Sequence, residues 1–376
     1  MTAPQRVAIV HEWFTSMRGG EKCVEALCEL FPDATLFVLL HNKGSVSPTI
    51  ERMPIRTSWI QHLPFASQNY RYYLPLFPLA ASQFNLKGFD LVISSHHCVA
   101  KGVKTDPDAL HICYCHTPMR YIWGHYDEYF GPGRTGFPTR VAMRLTLPFL
   151  RKWDVQTAVR PRAIVANSEN VCKRIRSIYD RDSLVIYPPV DTTRFPENNS
   201  EDFFLIVSAL VPYKRVDLAI EACKQTSNRL VIVGDGPEAK QLHALAGQNI
   251  EFRGWVSDME LAKLYSRCRA VLFPGEEDFG IVPVEAMAAG KPVVAFGKGG
   301  ALETVLVTPE HQTGVLFQEQ TVDAMVRAIK QCSTMHFDPR VLREHAMKFD
   351  KQVFKKRISE FIQMQWDASR SKSPQP

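Results

Sequence analysis

The chain has 376 residues, 45% of them hydrophobic, and carries 45 Lys and Arg against 39 Asp and Glu, for a formal net charge of +6. This length suits two domains of ordinary size, and the composition excludes a disordered or fibrous chain. No apolar run approaches the roughly 18 residues a spanning helix needs, the first residues lack a signal-peptide pattern, and nine scattered cysteines without CxxC pairs read as buried thiols, so a cytoplasmic chain without a metal site is expected.

The opening run "RVAIVHEW" reads as a strand; beyond "FTSMRGG", Val24, Leu27, Leu30 and Phe31 recur at helical spacing. Gly19 and Gly20 can let a phosphate approach the N–H groups that open this helix, or form a turn and nothing more. Residues 58–84, "SWIQHLPFASQNYRYYLPLFPLAASQF", are dense in aromatics, leucine and proline. "DLVISSH" (90–96), "HICYCHTP" (111–118) and "AIVANSENVCKRI" (163–175) are further short apolar runs. Between the first two, Asp106-Pro-Asp108 has a metal-binding spacing but lies in a proline turn, where such residues are commonplace. Residues 134–154 interleave Arg134, Arg140, Arg144, Arg151 and Lys152 with apolar residues. Residues 1–196 hold 23 Lys and Arg against 16 Asp and Glu. A basic first half fits phosphates, anionic lipid or a solvated face, and no nucleic-acid module accompanies it.

Residues 1–187 thus form a first domain of alternating strands and helices, and "YPPVDTTRFPENNSED" (187–202) breaks the pattern, giving a linker over 188–202. Over 203–350 the alternation resumes: "FFLIVSAL", "RLVIVGDG", "IEFRGWV" and "AVLFPG" as strands, "RVDLAIEACKQ", "PEAKQLHALAG" and "DMELAKLYSRC" as helices. Residues 351–376 read as a closing amphipathic helix with a frayed tail from "DASR" onward. Two doubly wound α/β domains facing across a cleft are expected, with ligands at the carboxyl ends of the strands.

One stretch joins chemistry to this frame: "PGEEDFGIVPVEAMAAGKPVVAF", residues 274–296. Pro283 suits a first helical turn and Gly290 a helix stop. Glu277 then falls in a loop and Glu285 in the first turn, where the helix dipole eases its ionisation. Gly280 lets an anion reach the N–H groups of Phe279 to Ile281. A diphosphate at the helix start, with a carboxylate on each side for sugar hydroxyls, matches a nucleotide sugar. The competing reading makes Glu285 a helix cap and Glu277 a solvated loop acid.

The same stretch resembles the Glu-x7-Glu signature of the family-4 retaining glycosyltransferases, whose fold is GT-B. "GGEKCVEAL", "SALVPYKRVDLAIEA", "VGDGPE" and "FRGWVSDMELAKLYSRC" agree with it in order and spacing, over nearly the whole chain. The resemblance implies that Glu285 holds the ribose, that Glu277 and His116 lie by the donor sugar, and that Lys214 meets the diphosphate. Taken alone, Lys214 is a surface lysine and His116 a structural histidine. An arginine common five residues before the lysine is Ala209 here; Arg215 or a basic residue of the first domain would replace it, or phosphate binding is weaker. The base pocket is expected around Gly254 to Ser257, with Val256 in it, and Arg120, Tyr121, Trp123 and Tyr126 are expected at the cleft mouth. The resemblance further implies metal independence, no cofactor, and a lipid-linked or polysaccharide acceptor with peripheral contact to the anionic inner face of a membrane. GDP-mannose is the first donor to try, with a UDP-sugar open. A sugar-nucleotide epimerase or hydrolase and a non-catalytic nucleotide-sugar binder are the alternatives.

Overall fold

A computed structural model describes residues 4–124, 126, 130–131, 136–197, 200–308 and 311–371; Arg134 lies outside them. The chain divides into two compact units, residues 1–189 with 354–376, and residues 190–353.

In the first unit the strands are β1 (Val7–Phe14), β2 (Thr35–His41), β3 (Ile55–Thr57), β4 (Leu91–His96), β5 (Leu110–Cys115), β6 (Ala163–Ala166) and β7 (Leu184–Val185). They form one parallel sheet in the order β3-β2-β1-β4-β5-β6-β7. All eight residues of β1 are buried, the polar His11 and Glu12 included, as those of a strand in a sheet covered on both faces should be. The order reverses between β1 and β4, which puts the turn after β1 and helix Gly19–Leu30 over a switch point.

The closing helix, Lys351–Arg370, sends Phe354, Ile358, Phe361, Ile362 and Trp366 into the core built on β1 and helix Gly19–Leu30. It is longer than the sequence reading: Asp367 to Arg370, read there as a frayed tail, are helical. The arginine-rich stretch folds as one long helix, Phe137–Thr157, whereas residues 58–84 form a series of short helices, Trp59–His62, Ala66–Asn69, Tyr70–Leu76 and Phe77–Ser82. Asp106 is part of a turn and accepts from Gly88 N–H at 2.6 Å. All nine cysteines are free thiols, eight of them buried.

The second unit repeats the plan with β8 (Phe204–Val207), β9 (Leu230–Val233), β10 (Ile250–Gly254), β11 (Ala270–Phe273), β12 (Val293–Phe296) and β13 (Gly314–Phe317). Its sheet is parallel in the order β10-β9-β8-β11-β12-β13, with its reversal between β8 and β11. Helix Val216–Gln225 follows β8 and helix Ile281–Ala288 follows β11, so the loops carrying Lys214 and Glu277 emerge side by side at the carboxyl edge.

Candidate functional site

In the second unit these two loops touch backbone to backbone. A Cβ at Gly275 would stand 2.7 Å from Tyr213 O, one at Gly299 2.3 Å from Glu277 O, and one at Gly300 2.1 Å from Phe279 O, so side chains are excluded at all three. This packing brings the Lys214 ammonium onto the Glu277 carboxylate as an ion pair, both side chains only partly exposed. Arg215, in a left-handed conformation, is committed to Asp217 through Nε at 3.1 Å and Nη2 at 3.0 Å.

Gly280 has φ +86°, the region that favours glycine, and caps helix Ile281–Ala288. The helix begins two residues before Pro283, which corrects the placement of Glu285: it stands in the second turn, beyond the groups of the helix end. What holds its charge is tertiary. Buried Glu285 accepts from Arg194 Nη2 at 2.6 Å and from Tyr265 Oη at 2.8 Å. Burial, then the carboxylate, pushes the Tyr265 hydroxyl far above its usual range, so it stays a donor. Arg194 and Phe195 also wall a cavity of about 460 Å³ against Met259 and Lys263. Val256 is half-buried beside Trp255, which is 85% exposed.

In the first unit the carboxyl ends of β1, β4 and β5 gather a polar cluster beneath Gly19 and Gly20. Ser95 Oγ lies 3.0 Å from His11 Nδ1 and 2.8 Å from His116 Nε2. His11 Nδ1 is also 3.3 Å from the Ser95 carbonyl, which can only accept, so this nitrogen carries the proton. The Ser95 hydroxyl can then accept from His11 and donate to His116 Nε2, the arrangement in which the His116 proton sits on Nδ1. Burial, with His97, His11 and His96 nearby, holds His116 well below the usual histidine range and keeps it neutral. Glu21 binds back to Arg18 N–H at 3.0 Å and lies 3.6 Å from His11 Nε2. A Cβ at Gly20 would come within 3.3 Å of His11 Cε1 and 3.7 Å of His116 Nε2.

Beneath this cluster, Glu12 Oε1 accepts the main-chain N–H groups of His97, Cys98, Val99 and Ala100 at 2.8 to 3.1 Å. Burial alone would raise its carboxyl, but these donors and the adjacent His96 and His97 hold it well below the usual range. Lys101 is fully buried and gives Nζ to Asp154 Oδ1 at 2.5 Å, Asp154 O at 2.8 Å and Thr157 Oγ1 at 3.2 Å. Asp154 Oδ2 takes Trp123 Nε1 at 2.7 Å and Tyr179 Oη at 2.8 Å.

That network decides two of the expected mouth residues. Trp123, half-buried, is pinned through Nε1 to Asp154, and Tyr121 is buried in the core with Ile122, so Tyr121 does not offer its ring to a surface ligand as the sequence reading supposed. Arg120 is half-buried at the start of the short helix Arg120–Trp123, and Tyr126 packs against Phe130. The sequence reading passed over His11, Ser95, Arg194 and Tyr265. The first two had a signal, since polar residues near the carboxyl ends of apolar strands face the ligand edge of such a sheet.

Two doubly wound sheets in one chain, each with glycine loops and polar side chains gathered over its switch point, define the GT-B architecture. Residues 17–194 match the model of Glycosyltransferase Family 4 and residues 191–353 that of Glycosyl transferases group 1. The chain belongs to the family-4 glycosyltransferases. It is 30% identical over 171 residues to an O-antigen chain mannosyltransferase of Salmonella typhimurium, covering 42% of this chain and 48% of that protein. It is 32% identical over 181 residues to a GDP-mannose-dependent alpha-(1-6)-phosphatidylinositol monomannoside mannosyltransferase of Mycobacterium tuberculosis, covering 40% and 46%. The chain spans about half the length of the curated relatives it matches. Among solved structures, sucrose-phosphate synthase of Thermosynechococcus elongatus superposes with a TM-score of 0.70 at 16% identity, over 97% of this chain and all of that one. Anabaena HepE in complex with UDP-glucose gives 0.67 at 17%, over 95% and 99%.

Proposed function

We propose that this chain is a retaining glycosyltransferase that moves a hexose from a nucleotide diphosphate sugar, GDP-mannose first, to a hydroxyl of a lipid-linked oligosaccharide or polysaccharide. The observation that carries the reading is the Lys214–Glu277 pair held at the carboxyl edge beside the Gly280-led helix. The donor diphosphate takes the Lys214 ammonium, which offsets the charge that grows as the sugar–phosphate bond breaks. Glu277, released from Lys214, accepts from sugar hydroxyls, and Glu285, already fixed by Arg194 and Tyr265, accepts from the ribose. The acceptor oxygen bonds to the anomeric carbon on the face that the nucleotide leaves, and its proton passes to the departing phosphate. His116, neutral with its proton on Nδ1, orients the sugar by donating to an oxygen. The mannosyl choice rests on relatives named as mannosyltransferases at 28 to 32% identity.

The test is a thermal-shift panel of GDP-mannose, UDP-glucose, GDP and UDP on the wild type and on Glu285→Gln. A ligand at 100 times its Kd stabilises the native state by about 2.7 kcal/mol. One donor should raise the wild-type Tm and raise that of Glu285→Gln much less. Absence of any donor-dependent shift sinks the donor-site assignment. Turnover of the bound donor without an acceptor would favour a hydrolase or epimerase, and binding without turnover for any acceptor would favour a non-catalytic binder.

A further inference from the structure

The carboxyl edge of the first sheet holds one imidazole that the proposed transfer leaves unused. His97 directly follows His96, the last residue of β4. Its main-chain N–H donates to Glu12 Oε1 at 3.1 Å, the first of four successive N–H groups bound there, so the backbone beneath the ring is fixed. The ring stands edge-on to Trp13, with centroids 4.8 Å apart and planes at 88°, and its centroid lies 6.3 Å from that of His116. Trp13 is in turn packed on Tyr70 and Phe77.

A ring held this firmly usually has a hydrogen bond, and its neighbours do. His11 and His116 share Ser95, His111 shares Ser94 Oγ at 2.9 Å, His96 accepts from Lys101 N–H at 3.4 Å, and His41 lies 3.1 Å from Glu51. Among the described residues, the ring nitrogens of half-buried His97 have no hydrogen-bond partner. Nor are they sealed from solvent, as the partnerless nitrogens of His11, His96 and His111 are.

The surroundings select a neutral ligand. Burial, the largest influence, lowers His97 to about 4, so near neutral pH the ring offers one N–H donor and one bare nitrogen. The ionised carboxylates of Glu12 and Glu21 lie close enough to act on it. A phosphate would meet an uncharged ring backed by two anions, whereas a hydroxyl can donate to imidazole or accept from it. A ring that titrates so low is also a weak base, suited to holding a hydroxyl and not to taking its proton.

We propose that His97 is a contact for the acceptor: it holds the acceptor sugar by a hydroxyl adjacent to the attacking one, beside the donor sugar that His116 orients. The attacking oxygen then keeps its proton for the departing phosphate. This inference rests on the transfer reading above. Groups bound to two rings 6.3 Å apart are neighbours, as the attacking oxygen and the sugar must be when they approach to roughly 3 to 3.5 Å.

The experiment follows transfer from the donor that raises the Tm to methyl α-D-mannopyranoside, by wild type, His97→Phe and His97→Gln. Phenylalanine keeps a ring against Trp13 and removes both nitrogens; glutamine restores a neutral donor and acceptor. His97→Phe should lower kcat/KM for the glycoside roughly ten- to a hundredfold and keep the donor-induced Tm shift, and His97→Gln should recover part of the loss. Saturation-transfer NMR should find the glycoside bound to the wild type and much more weakly to His97→Phe; melting curves like the wild type would show that both variants are folded. Transfer by His97→Phe within about twofold of wild type makes the ring structural and overturns the proposal. A wild type that neither binds nor uses the glycoside overturns it too, as does a His97→Phe protein that loses the donor shift, since the ring would then serve the donor. If no donor raises the wild-type Tm, the transfer reading itself fails, whereas a normal donor shift with undiminished transfer by His97→Phe removes this inference alone.

Discussion

Ser95→Ala tests whether the buried cluster in the first unit sets the state of His116. The hydroxyl is fully buried and is hydrogen-bonded to two imidazoles, at 3.0 Å and 2.8 Å. Its removal leaves His116 Nε2 and part of the His11 Nδ1 interaction unsatisfied, a cost of about 2 to 4 kcal/mol for the two groups together. That is a large share of a typical folding free energy but leaves the native state populated. The effect on turnover is separate. Without the donor from Ser95, nothing selects the Nδ1–H form of His116, and the ring gains freedom. A reacting group misplaced by about 1 Å loses up to roughly a hundredfold in rate.

The assay is initial-rate kinetics with the donor and acceptor that the thermal-shift panel and acceptor search identify, together with urea unfolding. Ser95→Ala should lower kcat roughly ten- to a hundredfold while changing the donor KM much less. If Ser95 acts through His116, adding Ser95→Ala to His116→Ala should cost little more, because the two changes interrupt one chain. A Ser95→Ala enzyme that keeps kcat within about twofold, or effects that multiply in the double variant, would refute the coupling.

Three further outcomes follow from the geometry. Ending the chain at Asp350 removes Phe354, Ile358, Phe361, Ile362 and Trp366 from the core of the first unit, a loss of roughly 2 kcal/mol for each side chain. The total rivals the stability of a whole domain, so circular dichroism should find the truncated chain largely unfolded, and a native melt would contradict that. Lys101→Met strands the buried Asp154 carboxylate with only its neutral donors, and urea unfolding should register a loss of roughly 3 to 5 kcal/mol; under 1 kcal/mol would show that Trp123 and Tyr179 suffice. Burial, the largest influence on each, lowers His97 to about 4 and His111 to about 3. The unfolded chain binds protons at these imidazoles below about pH 6.5 while the folded chain does not. Stability should therefore fall as pH drops from there, by about 1.4 kcal/mol per unit for each, until the folded values are reached. Flat stability between about pH 6.5 and 4.5 would mean that these rings protonate in the folded state.

The amino-acid sequence by itself determined the local frame. Short β-branched runs alternating with helical periodicity dictate parallel strands with crossover helices, and the glycines at 275, 280, 299 and 300 mark places where a Cβ would strike a neighbouring loop or where φ is positive. Spacing along the chain also put Glu277 in a loop and Lys214 after a strand, and the strand order then made those loops adjacent. What spacing cannot carry is contact between elements. Glu285 was read from its distance to Pro283 as a residue stabilised by a helix end, yet its charge rests on Arg194, 91 residues away, and on Tyr265. Tyr121 was read as a surface aromatic because hydropathy does not say which way a short helix turns. Ser95 joins His11 and His116 because β4 lies between β1 and β5, an order set by crossovers and core packing. Residues 352–365 show a helical period in the sequence, but only the apolar pocket over β1 decides that they return to the first unit. Local preferences act over a few residues, whereas burial and charge pairing are satisfied in three dimensions, so the tertiary structure decided which carboxylates hold their charge and which imidazoles stay neutral.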